Sequence, residues 1–309
     1  LSEKFKYEEK DFEELEKKVE RVLERGGEFE GADVKVLGYG EVSVVLLLDT
    51  PTTEKLAVKR MAGTFDLPNL LSYCSLVAHY ITRLERAGVA CVSTGFHVVE
   101  QQENKFVLYL VQPFLQKERL LNEYLKTCDE KEGVRLLGEV MDRARGVCCE
   151  AMGLDSQSSN WYVDPATDSL LYLDVSTPFL RHPTTNKQLM QTDVFLQSFP
   201  SIIAPIFPLI FEEIMSQYHD RRTVILDLIA NLHKEKILNL IPIFVKAANE
   251  RERGYEGKGG EITVKEVDSY YKQDAQMYAL LQGLRRGERW VRRTMGQPYP
   301  FLIPPKIDR

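Results

Sequence analysis

Five strand-like runs fall within the first 112 residues. After them only one short pair of strands returns, and nearly everything else has helical periodicity. That division constrains the fold more than any other feature. The early runs are 33–38 ("DVKVLG"), 42–49 ("VSVVLLLD") and 55–61 ("KLAVKRM"), the last two joined by "TPTTE", a hairpin connection. A helix follows Pro68 and runs through Leu71, Leu76, Val77, His79 and Leu84 to a stop at Gly88. Strands near 94–100 and 106–112 follow, joined by "QQEN". Ahead of all this, Phe12, Leu15, Val19, Val22 and Leu23 recur at helical spacing among Glu and Lys over residues 8–25, with "RGG" as the stop. This pattern predicts an amphipathic helix lying on a domain, its charge run a solvated face.

Past residue 115 the character changes. Val134, Leu137, Met141, Ala144, Cys148 and Ala151 form one helical stripe. Residues 205–250 and 263–294 are predicted helical, with breaks at His219–Arg221, His233–Lys236 and the "GYEGKGGE" loop. The expected organisation is an α+β chain with an N-terminal helix at 1–30, a β-rich N-lobe at 31–115 carrying one main helix, and a mostly helical C-lobe at 116–309.

The exception in the helical half is "GLDSQSSNWYVDPATDSLLYLDVSTPF", residues 153–179. Asp-Pro and Asp-Ser are turn formers, and the flanking Trp161–Val163 and Leu170–Leu173 have strand character, so a hairpin folds at 165–169. Such a hairpin brings Asn160, before its first strand, close to Asp174, after its second. Two oxygen ligands there suit a hard cation such as Mg²⁺.

Bulk properties set the context. The chain has 309 residues, 44% apolar and 28% charged, with a net charge of −6. That balance gives no sign of non-specific nucleic-acid affinity. The first residues are too charged for a signal peptide, and "SIIAPIFPLIFEEIM" and "ILNLIPIFV" are too short or too interrupted to span a bilayer. Five cysteines without a CxxC pair read as reduced thiols in a cytosol-like compartment, so the expected location is cytoplasmic with no membrane partner. Adjacent Cys148 and Cys149 read as core and near-core thiols on a helix, and His79 as a core or interface histidine. The other histidines are scattered, and no zinc site is expected.

Four pieces of chemistry recur in order. Gly38 and Gly40 in "VLGYGEVSVV" sit at a turn between strands, where glycine lets backbone N–H groups approach a phosphate; taken alone, they read as an ordinary β-turn. Lys59 lies in the next strand, on the face opposite Leu56, Val58 and Arg60. Asp155 and Asn160 share a loop that Asx turns alone would account for. Asp174 closes the hairpin.

In this order and spacing, residues 33–180 resemble the protein-kinase-like superfamily, in particular small-molecule kinases of the aminoglycoside-phosphotransferase type. The resemblance implies a two-lobed protein-kinase-like fold and ATP and Mg²⁺ as cofactors. It implies that Gly38, Tyr39 and Gly40 cover the phosphates, that Lys59 pairs with the α- and β-phosphates, and that Asp155 accepts the substrate hydroxyl's proton. Asn160 and Asp174 would hold the metal, and "VQPFL", with Gln112 and Phe114, would be the hinge that holds an adenine. Departures are evident: Ser43 replaces the third glycine, Gly153 stands where a histidine is usual, "DVS" replaces DFG, and the helix at 68–87 offers no clear glutamate for Lys59. Glu85 lies late on that helix, and Glu41 sits in the glycine turn.

The expected function is transfer of the γ-phosphate to a hydroxyl of an unidentified small molecule. The alternatives are a kinase-like pseudoenzyme serving as a nucleotide- or protein-binding module, and nucleotidyl transfer on the same fold. Around Trp290, Arg285, Arg286, Arg289, Arg292 and Arg293 form a basic face, read either as a docked helix with acidic neighbours or as a surface for an anionic substrate or protein partner.

Overall fold

The computed structural model describes residues 5–24, 33–190, 192–252, 260–297, 299 and 301–304. Helix α1 (Glu9–Glu24) is followed by β1 (Val36–Tyr39), β2 (Ser43–Leu48) and β3 (Leu56–Met61), then α2 (Leu67–Arg86), β4 (Gly95–Gln102) and β5 (Lys105–Pro113). The helical part begins with the short α3 (Leu121–Tyr124) and α4 (Glu130–Val147). The hairpin β6 (Trp161–Val163) and β7 (Leu170–Tyr172) interrupts it, and α5 (Asp193–Leu196), α6 (Phe207–Ser216), α7 (Arg221–Lys234), α8 (Ile241–Arg251) and the long α9 (Val264–Thr294) complete it. No helix among the described residues is long and apolar enough to cross a membrane.

The five early strands form one antiparallel sheet in the order β1-β2-β3-β5-β4. Its two faces have different fates, and strand alternation decides which residue goes where. Leu46, Leu56, Val58, Val107 and Tyr109 pack against Phe12, Leu15 and Val19 of α1, joined by Leu302 from the C-terminal stretch. Met61, Leu108 and Leu110 face the other way, towards Tyr73, Val77 and Leu84 of α2, in a core continuous with the helical part.

Helix starts follow from capping. Asp66, Asp129, Asp220 and Thr263 each accept a backbone N–H of the first turn, at the heads of α2, α4, α7 and α9. The breaks expected near residues 219–221 and 233–236 are present: a 3₁₀ turn at Gln217–His219 precedes α7, and Lys236 at φ 61° follows it. The expected stop "RGG" at 25–27 and most of the "GYEGKGGE" loop lie outside the described residues.

Three expectations are corrected. Helix α4 ends at Val147, so Cys148 is its C-cap, Ala151 lies in a turn beyond it, and Cys149 is exposed. His79 is exposed while its neighbours Val77 and Tyr80 are fully buried, because it falls on the outer side of α2. The charge run of α1 is not wholly solvated. Asp11 is buried and accepts hydrogen bonds from the Thr50 and Thr52 hydroxyls, and Glu16 is 2% exposed.

Candidate functional site

The expected hairpin is present, with Trp161 opposite Tyr172 and Val163 opposite Leu170. The Leu173 N–H donates to the Asn160 carbonyl at 2.9 Å, which fixes the two ends of the hairpin side by side. Asn160 in turn reaches back through Nδ2 to the Asp155 carbonyl at 3.4 Å. Asp155, Asn160 and Asp174 therefore belong to one hydrogen-bonded strip.

The strip is pinned to the helical part from below. Gly153 N–H donates to Phe179 and Leu154 N–H to the Tyr218 carbonyl. The Ser156 hydroxyl donates to the Val224 carbonyl, and the Trp161 indole to the Ser156 carbonyl. The position where a histidine was the familiar residue admits only glycine here: a Cβ on Gly153 would lie 2.5 Å from the Tyr218 carbonyl oxygen, too close for any side chain. Tyr80 of α2 closes the arrangement by donating to the Gly153 carbonyl at 2.9 Å.

From the sheet, Lys59 crosses 115 residues of sequence to reach the strip. Its Nζ donates to Asp174 Oδ1 at 2.7 Å and lies 3.1 Å from Ser176 Oγ. Ser176 adds its hydroxyl and its N–H to the same Oδ1, at 2.6 and 3.2 Å. Burial pushes the Asp174 carboxyl upward, but Lys59 and Ser176 outweigh that and hold it below the usual carboxylate range. Neither Glu85 nor Glu41 pairs with Lys59; both are exposed. The residue that α2 sends towards this region is Tyr73, whose hydroxyl donates to the Ser176 carbonyl at 2.6 Å.

Asp155 is perturbed the other way. Burial first, then the charges of Asp227 and Asp174, push its carboxyl up to about 7. Burial likewise pushes Asp227 up, to about 6, against hydrogen bonds from Gln157 and Tyr270. Asp227, Tyr270 and Gln157 were not singled out in the sequence. The available signal was Asp227 itself, the one acid inside the apolar run "VILDLIANL" of α7. Asp227 and Tyr270 also line a small cleft with Ser156, Tyr218 and Thr223.

The remaining expected residues lie along the sheet edge of the site. Gly40 N–H donates to the Ser43 carbonyl in a tight turn, and a Cβ on Gly40 would meet Ser43 Oγ at 2.8 Å. Nothing lies within 4 Å of where a Cβ on Gly38 would be. Tyr39 is half-buried at the end of β1. Gln112 uses its side-chain amide to bridge the Thr94 hydroxyl and the Leu173 carbonyl, at 3.0 and 2.9 Å, tying the end of β5 to the residue before Asp174. Phe114 is exposed, and its N–H is paired with the Lys55 carbonyl, so that amide is committed within the sheet.

The Arg-rich segment is not one solvated face. Arg285 is fully buried, lies over the rings of Phe199 and Phe301, and donates to the Ser198 carbonyl and to Glu41 C=O in the glycine turn, at 3.0 and 2.9 Å. Arg292 pairs with Glu288 at 2.9 Å, as expected of a docked helix with acidic neighbours, while Trp290 is exposed.

As a donor set for Mg²⁺, Asn160 and Asp174 fit: both offer hard oxygen ligands. The three bonds to Asp174 all fall on Oδ1, leaving Oδ2 for a cation. The amide bond of Asn160 to Asp155 uses Nδ2 and leaves Oδ1 in the same way.

No curated protein matches the chain. Residues 14–289 match the model of DUF6206, described as a family of unknown function, and the chain belongs to that family.

Proposed function

We propose that this chain is an ATP- and Mg²⁺-dependent phosphotransferase of protein-kinase-like fold, acting on a hydroxyl of a small molecule. The observation that carries the reading is the Lys59–Asp174 contact at 2.7 Å, which joins a strand lysine of the sheet to the end of the hairpin. Phosphoryl transfer asks a protein for positioning and charge neutralisation more than covalent chemistry. Lys59 would bind phosphate oxygens, and the open space over Gly38 leaves room for them beside the backbone. Asn160 and Asp174 would hold Mg²⁺, which when bound neutralises phosphate charge.

Asp155 would take the proton of the acceptor hydroxyl as its oxygen bonds to the γ-phosphorus and the bond to the departing nucleoside diphosphate breaks. A carboxyl raised towards neutrality suits that role, since a base works best with a pKa near the working pH. Gln112 would act at one remove, holding Leu173 and so the position of Asp174.

One observation favours a second reading, a pseudoenzyme that binds nucleotide without turnover. Lys59 has Asp174, the proposed metal ligand, as its partner, and α2 supplies Tyr73 where a carboxylate would free Asp174 for the cation.

The test is the melting shift produced by ATP with and without Mg²⁺, in the wild type and in Asp174→Ala, each variant read against its own unliganded midpoint. Nucleotide at 100 times its dissociation constant stabilises by about 2.7 kcal/mol. A Mg²⁺-dependent shift in the wild type that disappears in Asp174→Ala supports the site, and turnover with candidate alcohols then separates enzyme from pseudoenzyme. No shift with ATP or GTP sinks both readings.

A further inference from the structure

Helix α9 is amphipathic in the opposite sense to an ordinary surface helix over its last turns. A helix docked on a core turns apolar residues inward and charge outward. In α9, Gln282 and Arg285 point inward and are buried. At about 100° per residue, every charged residue between Gln273 and Thr294 falls on the inward half or its flanks. The side opposite Arg285 carries Leu280, Gly283, Gly287, Trp290 and Val291, and no charge. Met277 at one margin is 67% exposed, with Arg286 and Arg293 at the other margin; Leu280 is 58% exposed and Trp290 68%.

The two glycines say what kind of surface this face suits. Among the described residues nothing lies within 4 Å of where a Cβ on Gly283 or Gly287 would be, so packing against them does not require glycine. Each costs an exposed helix about 1 kcal/mol relative to alanine. A lipid surface gains no apolar burial from a glycine, whereas a second helix gains close backbone approach.

The pattern also says which helix. Gly283 and Gly287 are equidistant in sequence from Arg285, and so are Leu280 and Trp290. Two copies meeting antiparallel about a two-fold axis level with Arg285 bring these positions opposite one another, as an isologous interface requires. Glycine then faces glycine, Leu280 lies level with Trp290 of the other copy, and Met277 lies level with Arg293. The centre of the stripe, from Leu280 to Trp290, carries no charge, so the net charge of −6 is not concentrated where two chains would meet. Apolar surface continues on one flank: Ser201 N–H donates to Glu288 at 2.8 Å, and the adjacent Ile202 is 72% exposed.

We infer that the chain self-associates through α9, pairing antiparallel with α9 of a second copy about Gly283 and Gly287. From Met277 to Met295 the face is about 27 Å long. One helix pair is a small contact beside the roughly 800 Å² per partner of a standard interface, so the dimer is concentration-dependent.

Sedimentation of the full chain from low to high micromolar concentration tests this without reference to any activity. The expected result is a monomer–dimer equilibrium that Leu280→Arg and Trp290→Glu each shift to monomer, with far-ultraviolet dichroism and melting unchanged because both residues are exposed. Orientation is read by oxidation. Chains with Leu280→Cys should crosslink to chains with Trp290→Cys only when the two are mixed, above the level given by the wild type's own cysteines. A monomer at every concentration, a dimer that survives both substitutions, or crosslinking of either cysteine variant with itself would overturn the proposal.

Discussion

Arg60 and Glu16 meet inside the protein through two parallel hydrogen bonds, Nε to Oε2 at 2.8 Å and Nη2 to Oε1 at 2.6 Å, and the Tyr109 hydroxyl donates to the same carboxylate. Gln101 completes the group by donating to Glu16 and Glu20. Because Lys59 and Arg60 are consecutive in β3, one strand anchors α1 on one face of the sheet and reaches the hairpin on the other. Removing one member of a buried pair leaves the other charge without compensation. Glu16→Ala should therefore lower stability by about 3–5 kcal/mol in urea unfolding. Replacing both residues with methionine should cost much less than that, and a double variant as unstable as Glu16→Ala would show that packing, not the stranded charge, sets the loss.

Asp155 should make stability depend on pH in an unusual direction. Its folded pKa is raised from 3.8 to about 7, so the folded chain holds a proton that the unfolded chain has released. Its contribution is fully present below about pH 4 and is lost as pH rises through 7. Asp155→Asn retains the acceptor for the Gln157 N–H and removes the charge. It should stabilise the protein at pH 8 by on the order of 1–3 kcal/mol, with the gain fading towards pH 4. Melting temperatures of wild type and variant across that range decide the matter, and a constant difference would count against the buried-charge account.

Lys59→Met should act in the opposite direction. Asp174 is held below the usual carboxylate value, so its contribution is present above 3.8 and lost as pH falls further. Without Lys59 the carboxylate loses a charge-assisted hydrogen bond worth about 1.5–3 kcal/mol. Denaturant unfolding at pH 7 should show that loss, and the gap to wild type should narrow as the carboxylate protonates.

Gly153→Ala should be costly out of proportion to one methyl group. The added carbon would sit 2.5 Å from the Tyr218 carbonyl oxygen, against backbone that cannot rotate away as a side chain could. Either the loop carrying Asp155 or the turn at 217–219 must shift. The expected outcome is a loss of about 2 kcal/mol or more, together with faster hydrogen exchange at the Leu154 amide, which bonds to Tyr218. Unchanged exchange there would mean the strain is absorbed elsewhere.

Much of this architecture was legible because its determinants are local. The Asp-Pro and Asp-Ser turn between aromatic and aliphatic runs located the hairpin, and period-2 alternation set Lys59 and Arg60 on opposite faces before any partner was known. What could not be read was which residue each would meet. Glu16 looks like any other acid in a Glu/Lys-rich helix, and only the docking of α1 over Arg60 distinguishes it. Asp227 and Tyr270 belong to helices far apart in sequence and from Asp155, so no spacing rule links them. His79 was misjudged because apolar neighbours in sequence occupy a different side of a helix, a distinction that depends on where the helical stripe is centred.

The position of Leu302 bears on how the chain is assembled. It is packed among α1 and the outer face of the sheet, with Phe301 and Ile303 beside Ala62. During synthesis the five strands emerge early, yet the residue that finishes covering their outer face is made only after the whole helical part. The outer face of the sheet therefore reaches its full packing only after residues beyond the helical part have been made. Partial chains ending before residue 300 should accordingly be recognised by holdase chaperones even when every strand and helix is already present.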